Sequence, residues 1–102
     1  VRIFPDLCRL VCPVGTATSD LDIGIGAYTN AAGTAVALAG IALADSLDVG
    51  GGALDQTLPL PAVASMLEVN SQAGFDIVCS FDTANSPAAG DMYLTVVYQI
   101  GN

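Results

Sequence analysis

Histidine, lysine and tryptophan are missing from this chain of 102 residues, and Arg2 and Arg9 are its only cations. Each absence removes a kind of chemistry. Without imidazole there is no ordinary general base and no common nitrogen ligand for a metal. Serine and threonine have no His or Lys to activate them as nucleophiles, so no catalytic residue is expected and the chain is read as non-enzymatic. Nine of the ten carboxylates follow Arg9 with no positive side chain among them, within a formal charge of −8. Phosphate backbones and anionic membrane surfaces repel such a body, which argues against direct nucleic-acid binding. Aromatic residues are also scarce. Three Tyr and three Phe cannot supply the row of stacking rings that a sugar-binding face uses.

Apolar residues are plentiful: 53% of the chain, against 12% charged. Disordered chains have the opposite balance. One domain of this length buries roughly 60–68% of its unfolded surface, enough for a modest core. Eleven Gly and five Pro suit an all-β domain with many turns. The thin polar surface suggests that part of the apolar surface is covered by something else.

Cys8, Cys12 and Cys79 make an odd number. Cys8 and Cys12 are spaced too widely for a two-residue redox or zinc motif. Buried free thiols are the main reading; a Cys8–Cys12 or Cys12–Cys79 disulfide is the alternative. The opening Val is read as a processed, trimmed or partial product, and no secretory signal is legible in Arg2–Pro13. Ile23–Ala44 is uncharged for 22 residues, long enough in principle to cross a bilayer. Its four Gly, two Thr, Tyr28 and Asn30, and the lack of a flanking cation, argue against a span.

Residues 1–16 read as an extended N-terminal arm and 17–102 as a single β-rich domain. Pro5 biases Phe4 towards extended backbone, and Leu10–Val14 resembles an edge strand that tolerates Pro13. Arg2, Ile3, Phe4 and Arg9 are the candidate partner-binding residues, docking on a neighbouring subunit; a frayed terminus is the alternative. Loss of residues 1–12 would then leave the fold intact. Leu21, Ile23, Ile25 and Ala27 alternate as one face of a strand whose glycines allow close approach by a backbone or a ligand. Val36, Ala39, Gly40, Leu43 and Leu47 fall at helical spacing, predicting a short helix at about 35–46, with a weakly alternating strand at 36–44 as the alternative. A strand is expected within Ala64–Asn70. Phe75, Ile77, Cys79 and Phe81 predict an inward face, as do Met92, Leu94, Val96, Tyr98 and Ile100, and the two strands are expected to pair antiparallel.

The carboxylates offer the pairs Asp20 with Asp22, Asp45 with Asp48, and Asp76 with Asp82. Calcium would need clustered oxygens, such as Asp45, Ser46, Asp48 and Asp55, or Asp82, Asn85 and Asp91. Neither set has the spacing of a helix–loop–helix calcium site, so solvated surface carboxylates are expected, with no metal or cofactor. Leu21-Asp22-Ile23-Gly24 and Leu47-Asp48-Val49-Gly50 look alike, a faint hint of related strand–turn units.

Leu21-Asp22-Ile23-Gly24, then Ala44-Asp45-Ser46-Leu47-Asp48-Val49, then Gly90-Asp91-Met92-Tyr93-Leu94-Thr95-Val96-Val97-Tyr98, together resemble small structural proteins of tailed bacteriophages. These are the capsid decoration or cement proteins, and the likeness covers about residues 18–102. It implies a β-rich fold, dimeric or trimeric association, a virion location and binding to the major capsid protein or other virion subunits. It carries over no catalytic residue. The expected fold is an antiparallel β-sandwich or jelly-roll-like domain with one short helix. The alternative function is a stand-alone adhesion or carbohydrate-binding β-module, pilus-like or fibre-associated.

Overall fold

The computed structural model describes residues 1–15, 19–58, 67–81 and 91–101. Its strands are β1 (Arg2–Ile3), β2 (Arg9–Cys12), β3 (Asp20–Ile25), β4 (Tyr28–Thr29), β5 (Ala35–Val36), β6 (Ala39–Asp48), β7 (Leu54–Thr57), β8 (Leu67–Glu68), β9 (Ile77–Phe81), β10 (Tyr93–Thr95) and β11 (Tyr98–Gln99). Every pairing between them is antiparallel. The all-β class expected from the sequence is the fold observed.

The first twelve residues are not an arm. β1 and β2 are two parts of one extended run, interrupted by a 3₁₀ turn at Pro5–Leu7. That run is central: strand orders are β11–β1–β8 and β10–β2–β7. Apolar alternation decides the outcome. Ile3, Leu10 and Cys12 are buried while Arg2, Arg9 and Val11 point outward. A segment that buries one face and is hydrogen-bonded on both edges has no backbone free to reach a neighbour. Leu10–Cys12 is correspondingly a central strand rather than an edge.

At the 3₁₀ turn the ladder is repaired locally. Phe4 N donates to Val97 O at 3.0 Å and Leu58 N to Cys8 O at 2.9 Å. The Cys8 thiol sits in the gap, accepting from Val97 N at 3.3 Å and donating to Phe4 O at 3.3 Å.

β3 is the centre of a third sheet, with order β6–β3–β9, and β4 and β5 form a two-stranded one. Leu21, Ile23 and Ile25 are all at most 3% exposed. Residues 35–46, expected as a helix, form β5 and most of β6. The alanines' helix propensity is a weak preference, and burial of Leu43, Ala44 and Leu47 against β3 overrides it. The register of β6 slips twice. Leu21 opposes Leu47, Ile23 opposes Ala44, and Ile25 opposes Ala39. Extra residues of β6 therefore bulge over Gly24. A Cβ there would lie 2.6 Å from Gly40 Cα and closer still to the Ala39 carbonyl oxygen. The glycine approach is to a backbone. At the first slip Ser46 takes φ 53°, and its amide donates to Asp22 Oδ1 at 2.8 Å. The two similar tetrapeptides turn out to be cross-strand neighbours, with Leu21 opposite Leu47 and Asp20 opposite Asp48.

The two late strands do not pair with each other. β9 lies on β3, and β10 on β2. Alternation identifies a strand's faces but not its partner. Phe75, Ile77 and Phe81 are half-buried against the core, while Cys79 is exposed. Met92, Leu94 and Val96 pack inward, but Tyr98 and Ile100 are exposed, because the alternation breaks between β10 and β11. The strand expected in 64–70 is β8; Ala64–Met66, like Asp82 and Asn85, lie outside the described residues. One core joins Ile3, Cys8, Leu10 and Cys12 to Leu21, Ile23, Ile25 and Leu43.

Candidate functional site

The four residues expected to bind a partner are dispersed in role. Ile3 is 1% exposed and belongs to the core; Phe4 is half-buried. Arg9 Nε donates to Asp55 Oδ1 at 2.9 Å, with a second guanidinium nitrogen 2.8 Å from the same oxygen. An ion pair this exposed contributes under about 1 kcal/mol, but it occupies the cation. Arg2 is exposed and, among the described residues, has no ion-pair partner.

The carboxylates are divided among local tasks. Asp22 holds the Ser46 amide, and Asp48 Oδ1 accepts from the Gly50 and Gly51 amides, each at 3.0 Å. Asp45 Oδ1 accepts from Ser46 Oγ at 3.0 Å, and Asp91 Oδ2 from the Tyr93 hydroxyl at 3.2 Å. Among the described residues no three His, Cys, Asp or Glu side chains stand together as a metal site. Cys8 and Cys12 are buried free thiols; Cys79 is free and exposed. Burial pushes the thiols of Cys12 and Cys79 above their ordinary value. Among the described residues no helix is long and apolar enough to cross a membrane.

Apart from Leu7, Val11 and Val14, the exposed large apolar side chains of the described residues fall in two places. One is the outer side of β5–β6, where Leu38 is 61% and Ile41 53% exposed amid Ala35, Ala37 and Ala39. β6 is an edge strand, and the chain has no Lys to guard such an edge. The other place is β10–β11, where Tyr93, Tyr98 and Ile100 are 57–78% exposed. Helical spacing hid the first patch, because Leu38 and Ile41 fall outside the face it picks out. That a helix there would be apolar all round was the available signal.

A cleft of about 310 Å³ lies between the β4–β5 hairpin and the segment after β8, lined by Tyr28, Asn30, Glu68 and Asn70. Asn30 Oδ1 is used by the Ala32 and Thr34 amides, leaving its amide nitrogen as a donor. Asn70 Nδ2 donates to Glu68 Oε1 at 3.3 Å, and the Tyr28 ring rests against Phe75 with centroids 6.3 Å apart. No protein-family model, curated protein or solved structure matches this chain.

Proposed function

We propose that the chain is a non-enzymatic virion structural protein, a decoration subunit that braces a capsid shell through subunit–subunit contacts. The observation that carries this reading is the exposed apolar surface on β5–β6 and β10–β11 of a chain that is otherwise acidic. Covering such surface contributes about 25 cal/mol per Å² before ordering costs, with no reacting group required. The capsid as the assembly, and the major capsid protein as partner, rest on the resemblance carried by residues 18–102. With the N-terminal run engaged inside the fold, docking falls to the sheet surfaces rather than to Arg2, Ile3, Phe4 and Arg9.

The test is co-sedimentation of purified chain with tailed-phage capsid shells that lack a decoration protein. Saturable binding at a fixed number of copies per capsomer is expected. Tyr98→Ala combined with Ile100→Asp should weaken it about tenfold or more, as for hot-spot residues. Indifference to every shell offered would refute the capsid role.

A carbohydrate-binding module is the second reading, favoured by the Tyr28 cleft. One aromatic ring beside two amides and a carboxylate is chemistry that can face a sugar hydroxyl pair. A glycan array with wild-type chain and Tyr28→Ala separates the two readings.

A further inference from the structure

Residues 35–44 run Ala-Val-Ala-Leu-Ala-Gly-Ile-Ala-Leu-Ala. The sizes are symmetrical about the Ala39–Gly40 peptide. Moving outward, the paired positions are Leu38 and Ile41, Ala37 and Ala42, Val36 and Leu43, and Ala35 and Ala44. We propose that this segment is the contact through which two copies of the chain associate, antiparallel about a twofold axis at Ala39–Gly40. The inference rests on the assembly reading above and names the partner of the β5–β6 patch.

An isologous contact sets one patch against itself, so position i meets j and j meets i. About this centre, Leu38 of one copy meets Ile41 of the other, twice. These are the two large apolar side chains that the fold leaves exposed on this side; Leu43 is turned into the core. Small residues lie between them and let the two backbones approach.

Charge limits where a second copy can bind. Each copy carries −8, so contact through most of its surface sets carboxylate against carboxylate. The segment lies at the end of the charge-free run Ile23–Ala44, where that repulsion is least. The carboxylates that bracket this run in the chain are Asp22, buried and engaged with Ser46, and Asp45, which in the paired copy stands opposite Thr34. A basic partner would find no complementary charge here and would settle on the carboxylate-bearing faces instead. Ile41 also lies on β6, an edge strand that, among the described residues, no other strand of its sheet covers on the outer side.

Sedimentation velocity of the full chain, from micromolar to millimolar, reads the proposal directly. A dimer that grows with concentration is expected. Leu38→Glu and Ile41→Glu are surface changes whose folding is checked by circular dichroism. Each should raise the dissociation constant about tenfold or more. Ile100→Glu, on the other apolar patch, should leave it unchanged. Leu38→Cys combined with Ile41→Cys in a Cys79→Ser background should give a disulfide-linked dimer in air, and Ala73→Cys should not. A monomer at every concentration, or a dimer untouched by both Glu changes and not captured by the double cysteine change, overturns the twofold contact. A monomeric chain that still binds shells would leave the capsid role standing, so the two failures are distinguishable.

Discussion

Asp22 is a carboxylate placed inside β3, and the Ser46 amide is what it serves there. Asp22→Ala strands that N–H in the bulge and should cost about 1–3 kcal/mol. Asp22→Asn keeps an acceptor oxygen and should recover most of the loss in urea unfolding. Gly24→Ala drives a methyl into the backbone of Ala39 and Gly40; the expected loss is about 3 kcal/mol, seen as a lower melting temperature. The thiols carry the pH dependence. Desolvation of buried Cys12 and of partly covered Cys79 raises their pKa above the ordinary thiol value, so the folded chain holds these protons to higher pH than the unfolded chain does. Stability from this source is intact below the unfolded pKa and is lost as pH rises through the folded one. Urea midpoints should be flat to about pH 8.5 and fall above it, and Cys12→Ala combined with Cys79→Ala should flatten that fall. Gly24 was legible as a site of close approach because it interrupts an alternating strand. The partner of Asp22 was not, since it lies 24 positions away across a bulge that no local pattern announces.

At the scale of elements, the run through β1, the 3₁₀ turn and β2 is the piece on which most others depend. Deleting residues 1–12 removes the strand shared by β7, β8, β10 and β11 and takes Ile3, Cys8, Leu10 and Cys12 from the core. The truncated chain should lose its cooperative unfolding transition, as followed by circular dichroism, rather than keep its fold. Strand character was readable wherever apolar and polar residues alternate, as in β2, β3 and β9. It misled at 35–46, where alanine and leucine at three- and four-residue spacing imitate an amphipathic helix. What decides there is the match of Leu47 to Leu21 and Ala44 to Ile23, a nonlocal choice. The same limit hid the partners of β9 and β10. Alternation fixed their inward faces in part, yet each joined a different sheet.

The molecule as a whole measures 43 × 24 × 23 Å and combines two apolar patches with a strong negative charge. Repulsion and apolar contact therefore oppose each other. At 1 M salt the screening length falls to about 3 Å, so association through the patches should rise. It should rise again as the solution approaches the isoelectric point near 4.1. Light scattering at fixed protein concentration reads both, and association that falls with salt would mean that ionic contacts hold the copies together. The candidate surface was only partly legible: composition announced that apolar area would be left over, while the fold determined where.

The position of β1 and β2 between the last strands and the middle ones also governs the order of folding. Val97 must reach back 89 positions to Cys8 before that gap closes. During synthesis, β1 and β2 thus each keep one edge unpaired until β10 and β11 have left the ribosome. Such long-range closure is slow and leaves sticky intermediates. A cell making this protein in quantity would therefore be expected to shelter the nascent chain with a holding chaperone.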